Sequence, residues 1–443
     1  MRADLAIVGM GLSGTRALIE VIAALSRLPP PARPRQVAVF DRAGEFGRGI
    51  PYGSHSDRRA MLIEDLRATR CPEFLDWVRE NVAELEALGA GENSDDRAWH
   101  ARNAAAIAAR ELDGLYLPRH VFGTFSVQML EAAIEQGRAR GLVQVTRHLD
   151  EVVDVCPLAT QGFELASARG VLLTARSVLL AVGSVPRHDV HQAMLGESWR
   201  SRYVCDTDAC GSFALRGAFD RFQRAAPAGD VRLAIVGAAA SAIESLYCAM
   251  HHEPLSSRIV SVTTLSGSGT LPGGLAGAGD APVSEYARLR TSAAEYLRTA
   301  RTLLEDGRLA ILAARLDSVR AHDGALRLEA ERSIDGAGLV VDADLVINCS
   351  GAGRLQSTPS RLLRNLARKL AVRREGRGFA TREDHSLVDW PRMYLAGPLL
   401  NGGSAASDVE SISAVFRVGR ELGPTLAAQL VDRGETEQTR GVG

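Results

Sequence analysis

The sequence predicts an α/β protein of two doubly wound units, each a parallel sheet flanked by helices, with the second unit inserted into the first. Three observations carry this. A short apolar strand breaks into glycines and turns into an amphipathic helix at Leu5–Leu25, and the same design returns from Leu233. Two more apolar runs, Val178–Val182 and Leu345–Asn348, end at Gly183 and Gly351 and read as strands covered on both faces. A last strand, glycine turn and helix, from Met393 onward, return the chain to the first unit. Strands alternating with helices favour parallel sheets. The expected boundaries are 1–225 for the first unit, 226–345 for the insert, 346–430 for the return segment and 431–443 for a flexible polar tail.

The first unit opens with the strand Leu5–Val8, followed by Gly9, Gly11 and Gly14 and a helix from about Ser13 to Leu25. The first glycine permits a tight turn, the second lets a diphosphate approach the backbone, and the third lets helix and strand pack closely. The helix start then points free N–H groups and the positive end of its dipole at the phosphates. Arg27–Gln36 must be loop, because its three consecutive prolines cannot donate backbone hydrogen bonds. The next strand ends at Asp41, 27 residues after Gly14, where a carboxylate can accept from ribose hydroxyls. The glycine pattern alone says little. Strand before, helix after and acid at the end of the next strand together predict a dinucleotide site of the Rossmann type.

The second unit repeats the design with Gly237, Ala239 and Ala242 at the three positions. Ser241 falls in the first helical turn, where its hydroxyl and N–H either reach a diphosphate or merely start the helix. The next strand leads into Ser266-Gly267-Ser268-Gly269. A unit that binds NAD usually carries an acid there, and one that binds NADP an arginine; this turn has neither. Three options stay open: NADH or NADPH held without that side chain, Arg288 or Arg290 substituting from a helix expected over about Val283–Leu304, or reducing equivalents from an external donor.

The bulk numbers exclude other classes. With 52 basic and 53 acidic side chains the formal net charge is −1, which gives no pull toward nucleic acid or an anionic membrane. No apolar run approaches the ~20 residues that cross a bilayer, and the N-terminal stretch has no leader pattern, so a cytoplasmic protein is expected. Six cysteines are too few for a disulfide scaffold, and none has a neighbour at metal-ligand spacing, so no metal site is expected. Cys205 and Cys210, with four residues between them, are either a redox pair or a coincidence.

Three stretches give the chain a family likeness. Glu45–Gly53, "EFGRGIPYG", resembles the F-G-x-G-x-x-Y stretch of the FAD–NAD(P)-binding flavoproteins. "MLIEDLRATRCPEFLDWVREN" looks like that family's following segment, whose P-x-F-x-x-W helix lies near the flavin; Phe74 and Trp77 occupy those positions, with core packing as their ordinary role. "YLPRHVFGTFSVQML" resembles its P-R-x-x-F-G stretch. With the glycine motifs, the similarity runs from about residue 4 to about 425. Within the wider group the chain is similar to the ornithine and lysine N-hydroxylases and the nitrosuccinate synthases.

The resemblance implies FAD held by Gly9, Gly11, Gly14, Asp41 and Gly49, with Gly183 and Gly351 at strand ends beside the cofactors. It implies Gly237 and Ser241 at an NAD(P)H site, and Gly397 to Ile412 facing the flavin ring; Asp408 near that helix start acts as a cap or a cofactor contact. The implied activity is an FAD-dependent monooxygenase that hydroxylates the nitrogen of an amino acid or related amine with NAD(P)H and molecular oxygen. The alternatives are an FAD oxidoreductase without oxygen insertion and a flavin- or nucleotide-binding protein without turnover. Candidates to meet substrate are Arg48, Tyr52 and Arg119. Either arginine could hold a substrate carboxylate in a two-pronged hydrogen bond, touch the FAD phosphates, or form a structural ion pair. His55 and His120 lie in the same stretches, as proton carriers or as structural residues.

Overall fold

The computed structural model describes the chain apart from residues 1, 55, 160, 187–188, 206–212, 226–227, 278–291, 352, 401–410 and 432–443. His55, Cys210, Arg288, Arg290, Asp408 and the tail after Val431 therefore lie outside the described residues.

The first sheet is built on β1 (Arg2–Val8), which pairs in parallel with β2 (Arg35–Phe40) on one side and β6 (Gly170–Leu180) on the other. β3 (Val143–His148) extends the sheet beyond β2. The N-terminal half of β6 belongs to an antiparallel flap with β4 (Asp154–Pro157) and β5 (Phe163–Ser167). The strand expected at Val178–Val182 is thus the end of a longer one. All of β1 after Arg2 is buried, as expected for a strand covered on both faces.

The second sheet runs β14 (Gly338–Ala343), β13 (Ala325–Arg332), β12 (Leu309–His322), β9 (Ile259–Ser266), β8 (Val231–Val236), β15 (Leu345–Asn348) and β7 (Tyr203–Cys205). It corrects the expected boundaries of the insert at 226 and 345. Tyr203–Cys205 pairs in parallel with Leu345–Asn348, which pairs in parallel with β8, so both segments belong to the second unit. A three-residue strand is too short to show a period, and an apolar run such as Leu345–Asn348 reads alike in either sheet. A small hairpin, β10 (Thr270–Leu271) with β11 (Leu275–Ala276), follows the Ser266-Gly267-Ser268-Gly269 turn.

The chain returns to the first sheet at β16 (Met393–Leu395), in register Met393–Val178, Tyr394–Leu179 and Leu395–Leu180 on β6. Helix α1 (Leu12–Leu25) packs on the last helix, here α8 (Ile412–Val431). Their approach is close enough that a Cβ on Gly419 would lie 2.5 Å from Arg16 Cγ and one on Gly423 2.5 Å from Glu20 Cβ.

Between β2 and β3 the chain makes a short helix α2 (Gly49–Tyr52), then α3 (Pro72–Glu80), α4 (Val82–Ala90), α5 (Ser94–Ala108) and α6 (Arg119–Ala139). Asn93 starts α5 by accepting the N–H groups of Asp95 and Asp96. Phe74 and Trp77 of α3 stack on each other; Phe74 meets Phe122 edge-on, both rings lie tilted against Phe125 of α6, and the Trp77 indole donates to Gln128 at 2.8 Å. Both residues belong to the apolar core. One apolar cluster joins this helical block to the second unit, running from Phe74, Phe122 and Phe125 to Ile235, Leu246, Tyr296 and Ile347. The two units share an interior.

Candidate dinucleotide-binding site

The first glycine turn has the geometry its sequence calls for. Gly9 has φ +94° and would bring a Cβ within 2.3 Å of the Ala181 carbonyl oxygen, so only glycine fits. A Cβ on Gly14 would stand 2.1 Å from the Gly9 oxygen, which is the close helix–strand contact expected of the third position. A Cβ on Gly11 would meet only Gly49 Cα among the described residues, at 3.4 Å, and the space around it is otherwise open. No side chain caps the start of α1, so its first N–H groups are left for a ligand. Gly397 also converges here: its φ is +77°, and a Cβ would lie 2.6 Å from Ser13 Oγ. Gly183, with φ +77° and open space around it, sits two residues past the Ala181 carbonyl.

Asp41 closes the same corner. Its Oδ1 accepts the N–H groups of Ala43 at 2.9 Å and Glu45 at 3.2 Å, and its Oδ2 takes the Met10 N–H at 3.3 Å. A carboxylate has about four acceptor positions, so one remains for a ribose hydroxyl. Glu45 in turn accepts the Ser54 N–H at 3.1 Å and its hydroxyl, which folds the loop back across α2. Gly49, with φ +60°, presses its backbone to Gly11; a Cβ there would come within 2.7 Å of Gly11 Cα. The predicted stretch from Glu45 to Gly53 therefore meets the glycine turn, and these residues fit a dinucleotide diphosphate.

The second turn reproduces the first nearly bond for bond. The Gly9 N–H donates to the Phe40 oxygen at 2.9 Å and the Gly237 N–H to Leu265 at 2.7 Å. The Ala181 N–H donates to Val8 at 2.8 Å and the Cys349 N–H to Val236 at 2.6 Å. Gly237 has φ +118°, and a Cβ on it would lie 2.4 Å from the Cys349 oxygen. Gly351 stands to Gly237 as Gly183 does to Gly9, which places it in the second unit. Helix α7 (Ala240–Met250) starts here, with Ser241 half-buried in its first turn. Ala239 has φ −88° and ψ −172°, close to the −69° and −168° of Gly11, so alanine adopts this backbone without strain and narrows only the approach.

The Ser266–Thr270 turn satisfies itself. Ser266 Oγ accepts the Gly269 N–H at 3.1 Å, and Thr270 Oγ1 donates to the Ser268 oxygen at 3.1 Å. A Cβ on Gly269 would lie 2.7 Å from Ala313 Cβ, so the turn folds down onto β12.

Of the substrate candidates, Arg119 is taken up elsewhere. Its Nε donates to the Met61 oxygen at 3.1 Å and its Nη2 pairs with Glu244 of α7. Burial pulls the guanidinium down, and the Glu244 carboxylate more than restores it, leaving it above its ordinary value. Arg119 thus forms a buried ion pair with Glu244. Tyr52 packs its ring on Phe122, with centroids 4.9 Å apart; burial raises its phenol above the usual range. Its carbonyl oxygen would be 2.1 Å from a Cβ on Gly123, which seats α2 on the first turn of α6. Arg48, just before Gly49, keeps a buried Nε with no hydrogen-bond partner. Cys205 is buried at the end of β7.

Sequence reasoning missed the residues that join the units. Arg59, fixed by Asp57 at 2.8 Å, donates to the Cys248 oxygen at 3.1 Å, and the Met61 N–H donates to the Tyr296 hydroxyl at 2.7 Å. Glu244 could have been found, since it is an acid among the apolar residues of a helix whose neighbours Ala242 and Ile243 are fully buried. No group of three or more His, Cys, Asp or Glu among the described residues could hold a metal, and no described helix is long and apolar enough to cross a membrane.

Two glycine turns of matching geometry, one in each of two joined parallel sheets, define a flavoprotein fold with two dinucleotide-binding domains. Residues 6–185 match the model of the FAD-NAD(P)-binding family. The whole fold is shared with L-lysine 6-monooxygenase from Pseudomonas syringae, at TM-score 0.60 and 15% identity over 96% of this chain and 99% of that one. The reduced form of ornithine hydroxylase from Pseudomonas aeruginosa superposes at TM-score 0.60 and 17% identity, over 97% and 100%. Thioredoxin reductase from Lactococcus lactis does so at 0.53 and 12%, over 97% and 99%. An uncharacterized protein of Mycobacterium tuberculosis is 26% identical over 306 residues, which is 65% of this chain and 55% of the relative. The match thus spans about half the length of that relative.

Proposed function

We propose that the chain is a flavin-dependent oxidoreductase, and specifically a monooxygenase that hydroxylates the nitrogen of an amino acid or related amine with NAD(P)H and molecular oxygen. The observation that carries the reading is the pair of glycine turns, Gly9 and Gly237, in two units that share one core. One turn serves FAD and the other a nicotinamide donor. The lysine and ornithine hydroxylases, whose fold runs the full length of this chain, give the oxygen chemistry its support.

FAD, when bound, supplies the redox chemistry; the protein binds, orients and shields. The N–H groups at the start of α1 hold the diphosphate, and the remaining acceptor of Asp41 takes a ribose hydroxyl. Gly397 lets the return segment lie against Ser13. Excluding water from the bound flavin would protect reactive oxygen species from being lost. In the second unit, Ser241 and the first turn of α7 receive the nicotinamide dinucleotide. The Ser266–Thr270 turn offers no charge for a 2′-phosphate, so the reading favours NADH or weak discrimination between the two donors.

The test has two stages. The purified protein should carry a flavin spectrum, and NADH or NADPH should bleach it without oxygen. With oxygen, the right amine should raise hydroxylamine formation and lower peroxide release. Failure of both donors to bleach the flavin would overturn the self-sufficient monooxygenase. Bleaching without any amine-dependent coupling would leave an oxidoreductase that inserts no oxygen.

A further inference from the structure

One corner of the first unit, next to the glycine turn, holds polar atoms that the fold leaves unanswered. Arg48 leads into Gly49, which packs on Gly11. The buried Arg48 Nε has no hydrogen-bond partner, and no described carboxylate pairs with the side chain. His120, in the first turn of α6, places Nε2 3.6 Å from Asp96 Oδ1 of α5, and neither atom is hydrogen-bonded. The other Asp96 oxygen faces Arg58 Nη1 at 3.5 Å. Ser56, in the same loop as Arg58 and 8% exposed, also has an unpartnered hydroxyl. Buried polar groups in native proteins are nearly always satisfied, so several unsatisfied ones along one short loop and the helix turn beside it point to a missing ligand.

The charges say which kind. Burial first, then Arg58 and Arg48, hold the His120 imidazole down at about 3, so it is neutral at working pH. The corner then carries the guanidiniums of Arg48 and Arg58 against the carboxylate of Asp96, while the neighbouring Asp95 pairs with Arg216 at 3.8 Å. The uncapped start of the 21-residue helix α6 adds a further positive end. A cation arriving here would be repelled, and an anion would neutralise the excess. His120 occupies one side of Asp96 and Arg58 the other, which keeps that carboxylate from serving Arg48.

We propose that Arg48, with Arg58 beside it, is the recognition site for an oxyanion: the carboxylate of the substrate or a phosphate of the bound dinucleotide. The carboxylate is the source the structure favours, because the diphosphate already has the N–H groups at the start of α1. Asp96 is the positioning residue that holds Arg58, with His120 flanking its other oxygen. The location of this corner beside the flavin rests on the proposed function; its preference for an anion does not.

Two titrations by calorimetry test it, on wild type and on Arg48→Gln, Arg58→Gln and the distant control Arg315→Gln. Sodium benzoate, added to both apoprotein and FAD-loaded protein, probes the carboxylate source; FAD added to apoprotein probes the phosphate source. If the carboxylate is the ligand, Arg48→Gln weakens benzoate binding by about tenfold or more, as expected for a lost charge-assisted contact, while FAD affinity stays within about threefold. If the phosphate is the ligand, FAD affinity falls instead and benzoate is indifferent. Unchanged FAD affinity in Arg48→Gln, together with benzoate binding that is absent in wild type or unaltered in the variant, overturns the proposal. Should Arg48→Gln not fold by circular dichroism, Arg48→Lys, which keeps the charge and loses the fork, gives the same comparison at smaller size. A protein that binds benzoate through Arg48 but is never reduced by either donor keeps this corner and loses the monooxygenase.

Discussion

Arg119, at the start of α6, donates to Glu244 of α7 and so ties the helical block of the first unit to the nucleotide helix of the second. Both side chains are largely buried, at 16% and 4% exposed. Removing one partner of such a pair strands a buried charge and costs about 3–5 kcal/mol, whereas replacing both with apolar groups is often close to neutral. Arg119→Met should therefore lower the urea midpoint sharply, and the double variant Arg119→Met with Glu244→Met should recover most of the loss. A double variant as unstable as the two single effects added together would show that the two residues act independently.

Gly14→Ala and Gly11→Ala should fail in different ways. The first puts a methyl group 2.1 Å from a backbone oxygen, so it should cost stability, visible as a lower thermal midpoint even in apoprotein. The second meets only Gly49 Cα at 3.4 Å, so the apoprotein should fold and FAD should bind more weakly. Calorimetric FAD titration of both variants, beside circular dichroism, separates fold from site.

Acid should weaken the fold through His120. Its folded value of about 3 lies below the ordinary 6.5, so the unfolded chain takes up this proton first as pH falls. Its contribution is fully present above about pH 6.5 and is lost progressively on the way down to about pH 3. Burial shifts Asp96 upward, and that group acts in the opposite sense, favouring the fold as it protonates. Urea midpoints of wild type should fall between about pH 6.5 and 4, and His120→Asn should flatten that slope. An unchanged slope in the variant would assign acid sensitivity to other groups.

Under the proposed function, the Ser266–Thr270 turn should give no strong preference for NADPH. Anaerobic stopped-flow reduction should show the two donors within about tenfold of each other in efficiency. Ser268→Arg should shift the ratio toward NADPH by about tenfold, the size of a charge-assisted hydrogen bond to phosphate. A native preference for NADPH of about a hundredfold or more would mean that another residue reads the 2′-phosphate.

Much of this arrangement was legible in the sequence, and the reasons differ from place to place. Gly9, Gly14 and Gly237 announce themselves because each occupies a position that a side chain would fill with a clash. Asp41 follows from its place at a strand end. The duplication is legible because the two turns reuse one pattern. The insert's true edges were hidden, since Tyr203–Cys205 carries too few residues to show periodicity. Arg119 showed the opposite problem: the sequence placed it near the cofactor stretches, and its partner Glu244 lies 125 positions away. Arg58 and Asp96 gave no signal at all, because neither belongs to a motif and their meeting depends on how α5 lies against the loop after α2.

The apolar interior common to Phe122, Phe125, Ile235 and Ile347 has a mechanical consequence. Swinging one half away from the other would bare that surface to water, and the energy needed would rival the stability of a typical domain. Under the proposed function, a nicotinamide coenzyme would have to reach its turn with that interior intact. The tempo of catalysis would then be governed by the arrival and departure of small molecules.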